Sequence, residues 1–186
     1  VQRYMTWDED NWSCILRSIG AARENARSIR EVVSLEIWEA LNEAYLWLGS
    51  DAARAEYEEN RFGFYRRVRQ SMTLVLGYLR GTMLHDPPLE FIMLGVALER
   101  AGQTARFLDV HHHAMSTLPS RHQVEDTALW LAILRACSGF EPFMKRHRGI
   151  ITPEAVARFL VFEQAFPRSV AYCVHSAFRR LDAILT

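Results

Sequence analysis

The sequence predicts an all-α protein, a single helical bundle of about seven helices over residues 1–186. Three observations carry this expectation. Glycine and proline, which punctuate turns and loops, number only 9 and 6 in 186 residues. No window of strict apolar and polar alternation recurs, so strands have little support. Apolar residues return instead every three or four positions over long stretches, the period of a helix buried along one stripe.

Each element is then read from its own residues. Ser13 is placed to cap a first helix whose face is Ile15, Ile19, Ala22, Ala26, Ile29 and Val33. Ser34 caps a second, with Trp38, Leu41, Tyr45 and Leu48 inward, and the short turn between them predicts antiparallel neighbours. A third helix runs from Tyr57 to about Met83, with Tyr65, Val68, Met72, Val75, Leu76 and Leu79 inward. Asp86-Pro87-Pro88 stops it and opens a central helix that ends near Leu118-Pro119. Val124 to Cys137 follows, then a shorter helix around Phe140 to His147. Thr152-Pro153-Glu154 supplies a cap, a first-position proline and a first-turn acid for the next helix, and Pro167 begins the last, to Leu185. A weak internal repeat sets Ser13-Cys14-Ile15-Leu16-Arg17 against Ser169-Val170-Ala171-Tyr172-Cys173, an offset of 156, each after an acidic and aromatic lead-in.

Composition removes several function classes. Lys plus Arg equals Asp plus Glu at 22 each, so no basic excess argues for nucleic acid. No apolar run approaches the roughly 20 residues needed to span a bilayer, and the chain reads as soluble, without a membrane role. Cys14, Cys137 and Cys173 are widely spaced and form no CxxC pair, which fits a reducing cytoplasm better than a disulfide framework or a zinc site. There is no nucleophile elbow, phosphate-binding glycine loop or dinucleotide fingerprint, so the chain lacks an ATP site of its own and no cofactor is expected.

The most informative stretch is Leu94 to Asp109 on the central helix. At 100° per residue, Gly95, Glu99, Gly102, Arg106, Asp109 and His113 fall on one narrow polar stripe. Leu94, Leu98, Ala101, Ala105 and Leu108 cover a broad apolar face, and Ile92, Val96, Phe107 and Val110 a second. A helix apolar on two sides is expected among other helices, with its polar stripe paired inside or opening into a cleft. Gly95 and Gly102 beside the charges point to close approach of a backbone or ligand.

The same stretch resembles the α-E family, a bacterial all-helical domain named for its Glu-Arg motif. That motif is Glu99-Arg100 here, within Leu98-Glu99-Arg100-Ala101 and ahead of Thr104-Ala105-Arg106-Phe107-Leu108-Asp109-Val110. The Ala21-Ala22-Arg23-Glu24-Asn25-Ala26-Arg27 run and Glu39-Ala40-Leu41-Asn42 behind Trp38 extend the resemblance over most of the chain. Such proteins usually carry a related Leu-Glu-Arg helix near the N-terminus, so a chain starting at Val1 is expected to be the C-terminal portion of a longer protein. The resemblance further implies two partners, an ATP-grasp ligase and a transglutaminase-like protein, and hence a role in peptide or amide-bond formation or modification.

Glu99, Arg100, Gln103, Arg106, Asp109, His113, Arg23 and Arg27 are therefore the candidate substrate- or partner-binding residues. Two readings of the Glu-Arg pair stay open. In one it belongs to a buried ion-pair network that fixes helix register. In the other Arg100 or Arg106 holds a carboxylate or phosphate and Glu99 orients an amine. Glu99 points toward Gln103 and Arg106; Arg100 shares its side with Thr104 and His111 and should reach another helix. Arg23, Arg27 and Arg30 form a basic stripe, either screened by Glu24, Glu31 and solvent or facing an anion. His111-His112-His113 is poorly arranged for one metal, because successive helical residues project about 100° apart. The function expected is an accessory or substrate-holding component of an ATP-grasp ligase. The alternatives are an enzyme in its own right, with Glu99 or His113 as general base, and a purely structural interaction module.

Overall fold

The computed structural model describes residues 1–117, 123–147 and 151–185, and among them the chain is all α, with ten helices and no strand. The count exceeds the expected seven or so partly through two short helices, Gln2–Trp7 and Asp51–Glu59, that apolar periodicity did not separate. The expected end of the central helix at Leu118-Pro119 lies outside the described residues. No described helix is long and apolar enough to cross a membrane. The chain divides into two compact units, Val1–His85 and Asp86–Thr186.

The first unit holds α1 (Gln2–Trp7), α2 (Ile15–Ser28), α3 (Leu35–Leu48), α4 (Asp51–Glu59) and α5 (Arg61–Thr82). Its core is Ile19, Ala44, Leu48, Ala53, Tyr57 and Phe64. Phe64 is fully buried, with the rings of Trp7, Trp47, Tyr57 and Tyr65 between 5.2 and 5.5 Å from its own. Offset and edge contacts of this kind add to the area each ring removes from water. Ser34 caps α3 as expected, its hydroxyl accepting from the Ile37 N–H. The third expected helix is cut at Asn60, whose side-chain oxygen accepts from the Gly63 N–H at 2.9 Å and so caps α5. A Cβ on Gly63 would meet the Asn60 amide nitrogen at 2.7 Å, so the capping side chain would have to shift to admit a larger residue there.

The second unit holds α6 (Pro87–Thr117), α7 (Gln123–Ala136), α8 (Phe140–His147), α9 (Pro153–Phe162) and α10 (Val170–Leu185). Trp130, Leu134, Cys137, Phe143, Val156, Phe159, Leu160 and Phe166 form its core, and His111 of α6 lies against Trp130 at 4.0 Å between ring centroids. Thr152 caps α9, with Pro153 in its first turn, as the sequence indicates. The end of α7 is a Schellman turn: Ser138 N–H donates to Arg135 O and Gly139 N–H to Leu134 O. Ser138 takes the left-handed conformation, φ 52°, and Gly139 lets Phe166 approach, since a Cβ there would stand 3.0 Å from its ring.

Two caps differ from expectation, and the difference exposes the internal repeat. Helix α2 is capped by Cys14, whose sulfur accepts from the Arg17 N–H, and not by Ser13, whose own N–H donates to Asn11 Oδ1 in the turn before the helix. Helix α10 is capped by Ser169, with Pro167 left in the preceding turn. In the first unit Asp8 Oδ1 accepts from Asp10 N, Asp8 O from Asn11 N, and Asn11 O from Cys14 N. In the second Glu163 Oε1 accepts from Ala165 N, Glu163 O from Phe166 N, and Phe166 O from Ser169 N. The same acid-led turn joins α1 to α2 and α9 to α10, one position out of register with the alignment of Ser13 on Ser169.

Candidate functional site

Within α6 the expected polar stripe is present, and it faces out. Glu99, Arg106, Asp109 and His113 have side chains between 61% and 74% exposed. Glu99 Oε1 accepts from Gln103 Nε2 at 2.9 Å and from Arg106 Nη2 at 3.2 Å, while Arg106 Nε donates to Gly102 O at 3.3 Å. His113 Nδ1 lies 3.7 Å from Asp109 Oδ1 one turn on. Exposed pairs at this spacing contribute about 0.3 to 0.5 kcal/mol each, too little to hold the fold, so the row is a preassembled polar surface. No backbone of another described element comes close at Gly95 or Gly102. Nothing lies within 4 Å of a Cβ on Gly95, and Gly102 meets only the Arg106 side chain.

The buried side of α6 is turned by roughly a quarter of the helix from the apolar face read in the sequence. Leu89, Met93, Ala97, Thr104 and His111 are buried, whereas Phe91, Leu98, Phe107 and Val110 are exposed. The reason is the partner helix. Helix α10 buries Cys173 and Ala177, and small residues on both sides let two backbones approach, a seam that hydropathy does not mark.

The Glu-Arg pair is split between these two sides. Glu99 is on the surface; Arg100 is half-buried on the same side as Thr104 and His111, as its position implied, and its charge acts on the Cys173 thiol of α10. Thr104 Oγ1 donates to Arg168 O at 2.8 Å, tying α6 to the turn before α10. Burial raises the Cys137 and Cys173 thiols above their ordinary value, with the nearby Arg168 opposing it in both, so each stays protonated and unreactive. An ion pair across the seam does exist, made by Glu90 and not Glu99. Arg180 Nη1 stands 2.9 and 2.8 Å from the two Glu90 oxygens, with the Glu90 side chain only 11% exposed. Ninety positions separate these residues, so no local spacing could have revealed them.

In the first unit two of the runs that carried the family resemblance meet in space. Arg23 Nε donates to Asn42 Oδ1 at 2.8 Å, and its guanidinium lies 5.3 Å from the Trp38 ring and 5.0 Å from Tyr45. A Cβ on Gly20 would come within 3.2 Å of Tyr45, so α2 approaches α3 closely at this point. Glu24 bridges Arg23 at 2.6 Å and Arg27 at 2.8 Å, which relieves the like charges along the stripe. The Arg27 hydrogen bond, with the charges of Arg27 and Arg23, holds the Glu24 carboxyl below its ordinary value. Arg30 lies 5.2 Å from the same half-buried Trp38 ring. Apolar periodicity reads Trp38 and Tyr45 as inward core residues and does not mark the packing of Arg23 against them.

Among the described residues no group of three or more His, Cys, Asp and Glu is arranged to hold a metal. The side chain of His112 lies outside the described set.

No curated protein and no solved structure matches the chain. A family model does, over residues 1–186; it is described as Alpha-E, a predicted alpha-helical domain with a conserved ER motif. Glu99-Arg100 is the only Glu-Arg dipeptide in the sequence, so the motif falls on α6, with one member on the polar surface and the other against α10. The chain belongs to the Alpha-E family.

Proposed function

We propose that this protein is a non-catalytic holding component that works with an ATP-grasp ligase in peptide or amide-bond formation or modification. The ligase and its transglutaminase-like companion come from the family resemblance. The structural observation that supports a holding role is the exposed row Glu99, Gln103 and Arg106, already hydrogen-bonded into one geometry and bordered by exposed Leu98 and Phe107. A surface of this kind suits recognition: the apolar residues gain by leaving water, and the pre-ordered charges select the ligand or partner at little entropic cost. The partner activates a carboxylate with ATP, while Arg106 and Glu99 position the chain end that receives or bears it.

Holding is favoured over proton transfer by the environment of the two candidate bases. A general base is tuned by desolvation, whereas the side chains of Glu99 and His113 are 65% and 74% exposed. The test is ATP turnover by the ATP-grasp ligase over a panel of amino acids and short peptides, with and without this protein and its Glu99→Gln form. Stimulation by the native chain that the substitution abolishes is the expected result. No stimulation by either form overturns the proposal and leaves a structural module.

A further inference from the structure

A cavity of about 380 Å³ opens between the last turns of α8 and the turn that follows α9, lined by Pro142, Lys145, Arg146, Phe159, Glu163 and Phe166, among others. Its size falls within the range of small-ligand sites. None of its lining residues lies on α6, and the reading below stands apart from the one proposed for Glu99. The floor is aromatic: Phe159 and Phe166 are 3% and 5% exposed and stack with centroids 4.8 Å apart. On the rim, Pro142, Lys145 and Arg146 share one face of α8 at three- and four-residue spacing.

The charges of the rim are not equivalent. The Glu163 carboxylate is already held, by Arg146 Nη2 on Oε1 at 3.3 Å, by Arg146 Nε on Oε2 at 3.3 Å and by the Ala165 N–H on Oε1 at 3.0 Å. That acid also leads the turn into α10, so it is committed to the fold. Lys145 forms no ion pair among the described residues. The cavity therefore presents one uncommitted ammonium above an apolar, aromatic floor, with the neighbouring guanidinium neutralised by its own acid.

We infer that this cavity binds a carboxylate attached to an apolar or aromatic body, the chemistry shared by the C-terminal end of a peptide and by a free hydrophobic amino acid. The carboxylate meets Lys145 and the apolar group lies on Phe159 and Phe166. A phosphate dianion is a poorer match, because such groups require several convergent donors and the fork of Arg146 is occupied. The free amino acid is the weaker of the two sources, since its ammonium would enter beside that of Lys145 with the carboxylate of the lining, Glu163, already taken.

The experiment is a titration of the isotope-labelled full chain, followed at the backbone amides of Ala165 and Phe166. The probes are N-acetyl-phenylalanine, N-acetyl-phenylalaninamide, phenylalanine and inorganic phosphate. Saturable shifts with N-acetyl-phenylalanine are expected, about tenfold weaker with the amide and about tenfold weaker for Lys145→Met, with Lys145→Arg restoring the affinity. Lys145 is exposed, so its replacement by methionine leaves the fold intact, and unchanged amide spectra outside the cavity check this. Phenylalanine binding as tightly as its acetylated form supports the carboxylate chemistry and names the free amino acid as the source. Equal affinity for acid and amide, no effect of Lys145→Met, no saturable shifts, or displacement by phosphate at equal concentration overturns the inference.

Discussion

Arg180→Met should be among the most damaging single substitutions at a charged residue in the second unit. Both Glu90 oxygens rest on one guanidinium nitrogen at 2.8 and 2.9 Å, and the Glu90 side chain is 11% exposed while that of Arg180 is 34% exposed. Removing one partner of a fully buried pair costs about 3 to 5 kcal/mol, because the other charge stays desolvated. Water reaches the arginine end here, which lowers the expected cost to about 2 to 3 kcal/mol. Methionine retains much of the stem, so the loss reports the charge and not a cavity. Glu90→Gln leaves behind the better-solvated partner and should cost about 1 kcal/mol. With a urea slope of about 2 kcal/mol per molar, Arg180→Met moves the unfolding midpoint down by about 1 M. The double substitution completes a cycle, in which a coupling of about 1 to 2 kcal/mol is expected. If Arg180→Met costs no more than Glu90→Gln and the coupling is near zero, the pair behaves as a screened surface contact, and the α6 to α10 seam is not set by it.

Two further substitutions test the local chemistry. Ser138→Gly relieves a left-handed residue that is exposed and leaves the Schellman hydrogen bonds in place, so it should stabilise by about 1 kcal/mol; an unchanged or lower urea midpoint refutes the strain. Glu24 should titrate below an ordinary carboxylate by nuclear magnetic resonance, and Arg27→Met should move its midpoint up, whereas no movement would show that Arg27 is not the cause. The sign follows from the depressed native value: whatever Glu24 contributes is present above its unfolded value and is lost as pH falls through the native one, on the acid side of the carboxylate range.

What was legible in the sequence is what short-range chemistry decides. Ser34 and Thr152 cap because a hydroxyl three residues ahead of an N–H is a local event, and both were found where expected. The Glu99, Gln103 and Arg106 row is likewise a matter of four- and seven-residue spacing on one helix. The starts of α2 and α10 lie one and three positions beyond the expected ones because each cap answers to the acid-led turn before it, and a thiol carries little capping signal of its own.

The orientation of α6 was not legible, and the cause is physical. Summed hydropathy assigns the core to the face with the most leucine and phenylalanine, which here is the face bearing Leu98 and, farther round, Phe107. Beyond Leu89 and Met93, the side that is buried instead carries Ala97, Thr104 and half-buried Arg100 opposite Cys173 and Ala177, groups that add little apolar area but permit close packing and specific hydrogen bonds. Choosing that side leaves large apolar residues in water. The split Glu-Arg pair follows the same division: Arg100 belongs to the seam that fixes the helix, and Glu99 to the surface that the helix presents.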